Sequence, residues 1–205
     1  MVGKSVRPTV SARPPGRPRK EIDLGEVADN AARLFDEGGY DAVSIEAVAE
    51  RMAVSRATLY RTVSTKDQLL AVLFERSTDE LDRAATALVR QGRDPSEELF
   101  ELMRLHIGAA IRTRRHMAIF FGGAGLPPDV LARWQGFSRR YERLWAGAVG
   151  RAMRAGLIPK DDPVLTTRLL LGMVIWVARW YRPDEPYTED DITRIATRLL
   201  DQRSP

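Results

Sequence analysis

The sequence predicts an all-α protein: an N-terminal helix-turn-helix unit of three short helices, followed by a C-terminal helical bundle. Three observations carry this expectation. From Leu24 onward, apolar residues recur at spacings of three and four; Ser, Thr or Asp stands just before most of these runs; and glycine or proline punctuates them.

Asp23 with Glu26 has the form of a capping box, and Leu24, Val27, Ala28, Ala31, Leu34 and Phe35 make one apolar stripe that stops at Gly38-Gly39. Ser44 is placed to cap a short second helix with Ile45, Val48, Ala49 and Met52 on one side. Ser55 is placed to cap a third, from Arg56 to about Val63. The tight break between these two makes the helix-turn-helix. Thr65 with Gln68 opens a longer helix through Leu69, Leu70, Leu73 and Phe74. Further on, Asp94-Pro95 with Glu97 starts a helix carrying Leu99, Leu102, Met103, Leu105, Ile107 and Ile111. Asp129 begins a long one with Val130, Trp134, Phe137, Tyr141, Leu144, Trp145 and Val149, ending at Gly156. Asp162-Pro163 opens the next and Thr188 with Asp191 the last. Residues 165 to 180 are apolar nearly all round, which predicts a helix buried on every side, with a partner subunit as the natural cover.

Composition sets the outer bounds. A chain of 205 residues, 44% hydrophobic, supports one substantial core or two small coupled ones. It has no cysteine, which excludes disulfides and thiolate metal sites and fits a reducing cytoplasm. No metal or cofactor is implied. The N-terminus lacks the apolar run of a signal peptide, and LLLGMVIWVARW, interrupted by Arg179, is shorter than the roughly 20 residues of a membrane span.

Charge is unevenly placed. Residues 1 to 22 hold Lys4, Arg7, Arg13, Arg17, Arg19 and Lys20 against Glu21 alone, whereas the whole chain carries only +4. Prolines at 8, 14, 15 and 18 rule out a continuous helix there. On charge alone this is either a solvated tail or an extended arm for a polyanion. The division expected is an arm over 1–22, a helix-turn-helix unit over 23–68 and a second helical domain over 69–205.

On the third helix Leu59 and Val63 fall together and must pack inward, which turns Ala57 and Arg61 outward, flanked by Thr58 and Tyr60. Small groups at 57 and 58 allow close approach to base edges, Arg61 reaches a base or phosphate, and the Tyr60 hydroxyl suits a phosphate oxygen. Arg56 and Lys66 add positive charge at the starts of two helices. In isolation, an amphipathic surface helix explains the same residues.

The run LFDEGGYDAVSIEAVAERMAVSRATLYRTVSTKDQLL, residues 34–70, resembles the DNA-binding domain of the TetR family of transcriptional regulators. The likeness is carried by Tyr40 after a glycine pair, Ser44 and Ile45, Ala49, Val54-Ser55, Leu59-Tyr60, and Lys66-Asp67 before Leu69. Two positions depart from the pattern: Ala53 stands where the family has glycine, and Val63 where it has phenylalanine. The resemblance implies a DNA-binding homodimer on a palindromic operator, with Ser44, Ser55, Arg56, Ala57, Thr58, Tyr60, Arg61 and Lys66 at the DNA. It also implies that the C-terminal bundle serves ligand binding and dimerisation, with Asp129–Gly156 and Pro163–Tyr181 forming a four-helix interface with the partner. Arg17, Arg19 and Lys20 join the DNA set because G-R-P-R between prolines also looks like an AT-hook core, which lays arginines along a minor groove.

By the same resemblance a small-molecule cavity lies in the bundle, with Phe100, Met103, His106, Ile107, Phe120, Phe121, Trp134, Phe137, Tyr141 and Trp176 as candidate walls. The run WVARWYRPDEPYTEDDI looks like that of a branch regulating lipid and sterol catabolism. The effector implied is an acyl-CoA, with Arg139, Arg140 and Arg179 available to its phosphates, or a neutral apolar compound. The alternative is a helical enzyme or lipid-binding protein whose basic segment binds nucleic acid non-specifically. Against an enzyme, His106 and His116 are the two histidines, Gly122-Gly123-Ala124-Gly125 lacks the strand and lysine of a phosphate loop, and paired carboxylates sit at helix starts.

Overall fold

The computed structural model describes residues 22–121 and 128–200, except for the side chains of 116–121. Among them are eight helices and no strand: α1 Leu24–Ala42, α2 Ile45–Arg51, α3 Arg56–Tyr60, α4 Lys66–Arg90, α5 Pro95–Phe121, α6 Pro128–Arg154, α7 Pro163–Trp180 and α8 Glu189–Arg198.

The starts obey local chemistry. Ser44 accepts from the Ala47 N–H, Ser55 from Thr58 and Thr65 from Gln68, each at 3.1 Å. Asp162 takes the N–H groups of Val164 and Leu165, and Thr188 with Asp191 forms the complete reciprocal box. Two other expected boxes are incomplete. Asp23 caps through the Gly25 N–H at 2.8 Å, and the Gln68 side chain accepts from Ser64, one residue before the cap. Asp129 lies inside the first turn of α6, paired with Arg133 at 3.0 Å. At the other ends, α1 breaks at Gly39, whose φ is 69°. Gly156, at φ 71°, closes α6 with its N–H on Met153 and that of Leu157 on Ala152.

Helix α3 is shorter than expected: Arg61 caps it, and one more turn brings the Val63 N–H onto the Leu59 carbonyl at 2.8 Å. Leu59 and Val63 do point inward, fully buried with Val27, Phe35, Val48 and Leu69 in an N-terminal core. A second core gathers Leu102, Met103, Ile107, Trp145, Val149 and Val174. Helix α4 serves both, so the expected boundary at 68 falls within a continuous helix.

Ala53 sits at φ 52°. It ends α2 with the Val54 N–H reaching back to Ala49 at 3.0 Å, a closure whose left-handed residue is ordinarily glycine because a Cβ meets the following carbonyl. Ala53→Gly is therefore expected to stabilise the N-terminal unit by up to about 1 kcal/mol. A higher urea midpoint at fixed protein concentration is the check; a lower one would show the alanine is unstrained.

Helix α7 departs from the sequence expectation. It is not buried on every side within the chain. Thr167, Leu170, Val174 and Val177 face the core, while Leu165, Leu169, Trp176 and Trp180 are exposed, Leu169 at 68% and Trp176 at 62%. Ile195 of α8 and Leu199, which caps it, are exposed as well.

Candidate DNA-binding face and ligand cavity

Burial of Leu59 and Val63 turns the other side of α3 outward and exposes Arg56, Ala57, Tyr60 and Arg61, with Thr58 half-buried between them. Ser55 fixes the entry, its hydroxyl 2.7 Å from that of Thr58. The Arg51–Glu37 pair, at 2.5 Å, straps α2 to α1. These are the expected residues on one face.

Two of them are already engaged. The Tyr60 hydroxyl donates to the Glu46 carboxylate at 2.7 Å, which holds that carboxyl below its ordinary range and pushes the phenol up. Lys66 donates to the Tyr40 carbonyl at 2.6 Å and lies over the Tyr40 ring, so it ties the start of α4 to the end of α1. Glu46 had no part in the sequence reading; it stands fourteen residues from Tyr60. Arg17, Arg19 and Lys20 lie outside the described residues.

In the C-terminal domain, α4, α5, α6 and α7 line a partly open cavity of about 260 Å³. His106, Trp134, Phe137 and Tyr141 line it as expected. Its other walls are Ser77, Thr78 and Leu81 of α4, Ala109, Ala110 and Thr113 of α5, Ser138 and Glu142 of α6, and Leu171, Gly172, Ile175 and Ala178 of α7. The small residues explain the space: on α5, 106, 109, 110 and 113 share one face, and alanines fill its middle.

His106 Nδ1 lies 3.1 Å from the Tyr141 hydroxyl, the Phe137 ring stacks on Tyr141 at 5.2 Å, and Trp145 meets the imidazole edge-on. Burial lowers the His106 pKa to about 4, so the ring is neutral near pH 7. Burial likewise raises that of the Tyr141 phenol.

The remaining candidates lie elsewhere. Met103 is core, Ile107 and Trp176 line a separate open groove between α7 and α8, and Phe100 borders a shallow depression beside Arg93 and Thr197. Aromatic or apolar character marks a residue for burial without saying on which side of its helix the space falls. The Phe120 and Phe121 side chains are outside the described set. Arg139, Arg140 and Arg179 are exposed and none lines the cavity; Arg140 faces Asp82 at 3.6 Å.

The cavity and the DNA-facing unit share parts. Helix α4 supplies a wall and runs unbroken into the N-terminal core; Val130 at the start of α6 packs on Ala71 and Phe74, and Arg133 pairs with Glu75 at 2.5 Å. Arg115 of α5 donates to the Asp36 carbonyl of α1.

A helix-turn-helix unit joined through one continuous helix to a helical bundle with a cavity is the architecture of a class, the one-component transcriptional regulators. The chain belongs to the TetR family: residues 27–73 match the model of bacterial regulatory proteins, tetR family, and 92–202 that of the tetracyclin repressor-like C-terminal domain. It is 36% identical over 167 residues to the HTH-type transcriptional repressor KstR of Rhodococcus jostii, covering 75% of this chain and 72% of the relative. A structure of AibR with isovaleryl coenzyme A and operator DNA is similar at TM-score 0.71 and 26% identity, over 87% of this chain and 97% of that one. A TetR/AcrR-family regulator from Thermobifida fusca shares the fold at TM-score 0.77 and 24% identity, over 89% of this chain and 98% of that one.

Proposed function

We propose that the chain is a homodimeric repressor that binds a palindromic operator and leaves it when a small apolar molecule or acyl-CoA enters the bundle. The observation that carries this reading is the double use of α4, a wall of the cavity at Thr78 and Leu81 and a part of the N-terminal core at Leu69 and Leu70. A ligand that moves α4 moves the recognition helix with it. Two α3 helices related by a two-fold axis would enter successive major grooves roughly 34 Å apart. An effector shifts this equilibrium only as far as it favours the spacing that misfits DNA. The repressor named among the relatives and the coenzyme A complex of AibR support the reading. Such a protein would act in the cytoplasm, where the operator is.

The partner face of this proposed dimer is α7 with α8, in place of the α6 and α7 that the resemblance implies. The exposed Trp176 and Trp180 of α7 line one groove with Ile195 of α8 and its capping residue Leu199, and Leu165 and Leu169 are exposed on α7 as well, whereas α6 turns Tyr141, Trp145 and Val149 into its own core.

Selection of bound sequences from a random DNA pool tests the function. A palindrome should emerge, with A·T-rich flanks if Arg17 and Arg19 of the arm enter the minor groove. Failure to enrich any site would overturn the reading. In the same assay Arg61→Ala is expected to flatten base preference at one position per half-site, by about 1–3 kcal/mol. Glu46→Gln is expected to tighten all sequences about three- to tenfold, because it removes a carboxylate from the phosphate-facing side and releases the Tyr60 hydroxyl. Equal tightening in a Tyr60→Phe background would show that the Tyr60–Glu46 bond plays no part.

A further inference from the structure

We infer that the cavity selects an uncharged effector group of about ten non-hydrogen atoms, bearing one hydroxyl or ketone-type oxygen that sits on the His106–Tyr141 pair. This rests on reading the cavity as the effector site.

The walls exclude an anion. Among the described lining residues Glu142 is the one charged side chain, and Arg168 holds its carboxylate at 2.9 and 3.1 Å. Among the described residues no lysine or arginine lines the space. A carboxylate or phosphate entering here would shed its hydration without meeting a counter-ion. Burial also keeps His106 neutral, so it offers no cation.

Apart from the Ser138 hydroxyl and the Arg168-paired Glu142, the polar capacity is local. Ser77, Thr78 and Thr113 donate to carbonyls of their own helices, those of Leu73, Phe74 and Ala109. The His106–Tyr141 contact at 3.1 Å consumes one hydrogen and one lone pair and leaves a choice. With the phenol donating to Nδ1, its oxygen still accepts from a ligand hydroxyl. With Nδ1–H donating to the phenol, the phenol O–H turns to a ligand carbonyl. The pair thus matches either neutral oxygen.

Size follows from volume. A dry cavity of about 150 Å³ takes benzene, so about 260 Å³ suits roughly ten heavy atoms.

Three probes of that size decide it: octan-1-ol, octan-2-one and octanoate, titrated at pH 7.5 by the fluorescence of the full chain, in which Trp134 lines the cavity and Trp145 abuts His106. The alcohol and ketone are expected to bind at least about tenfold more tightly than octanoate. Tyr141→Phe should weaken both about fivefold without changing octanoate, and His106→Gln, which keeps a neutral donor and acceptor, should retain them. Thermal melting of both variants confirms that they are folded. Octanoate binding as tightly as the alcohol, an unaltered Tyr141→Phe, or no binding of any probe each overturns the inference. Operator selection uses no probe, so failure there would strike the regulator reading separately.

Discussion

A Leu169→Glu, Trp176→Glu double variant is expected to fold as a monomer and to lose at least about a hundredfold in operator affinity. Both side chains stand outward on α7, at 68% and 62% exposure, while Leu170, Val174 and Val177 are the buried residues of the same helix. Glutamates there are solvated in the free chain and cost it little. In a two-fold dimer each residue is buried twice, and a Leu or Trp contributes about 2–3 kcal/mol when covered. Carboxylates in the same seam would face one another unpaired. With Leu165, Trp180, Ile195 and Leu199 alongside, the stripe is larger than the scattered apolar residues of an ordinary monomer surface. Sedimentation at micromolar concentration, with helix content unchanged, is the measurement; a tight dimer would place the interface elsewhere. Val174→Asp, the substitution that an all-round apolar helix suggests, is a poor probe, because Val174 is fully buried against its own chain and the variant would unfold the core.

What was legible in the sequence was local. Ser44, Ser55, Thr65, Asp162 and Thr188 announce helix starts because the cap and the N–H it satisfies lie within three residues. The outward face of α3 was legible for the same reason, since Leu59 and Val63 fix its rotation. The positive φ at Ala53 was legible as a departure from a family pattern. The cavity was only half visible: a void depends on which small residues of four helices meet, and Ala109, Ala110, Gly172 and Ala178 carry no mark of that in one dimension. The proposed partner face differs by one helix from the one the resemblance implies, because apolar character alone does not separate the side that meets its own core from the side that could meet another chain. The Tyr60–Glu46 bond depends on how α2 and α3 cross, which no spacing encodes.

His106 should make the C-terminal domain acid-sensitive in a defined window. Its imidazole is buried against Tyr141 and Trp145, and that burial lowers its pKa from 6.5 to about 4. Between those values the unfolded chain takes up a proton that the folded chain refuses. Stability is therefore full above about pH 6.5, falls as the pH drops toward 4 by about 3 kcal/mol at most, and levels off below, where both states are protonated. The Thr188–Asp191 box titrates lower: hydrogen bonds from Thr188 and Arg194 bring Asp191 down from 3.8 to about 2, so its contribution is lost only as the pH falls through that range. The two windows do not overlap. Urea unfolding of the monomeric Leu169→Glu, Trp176→Glu protein at pH 7.5, 5.5 and 4.5 avoids any linkage to dimerisation, and the same series with His106→Gln added removes the titrating group while keeping a hydrogen-bonding partner for Tyr141. The His106 protein should lose stability steeply across the series and the glutamine variant much less. Parallel losses in the two would mean that His106 is charged without penalty in the folded state, and with it would go the neutral polar pair on which the cavity's choice of an uncharged ligand depends.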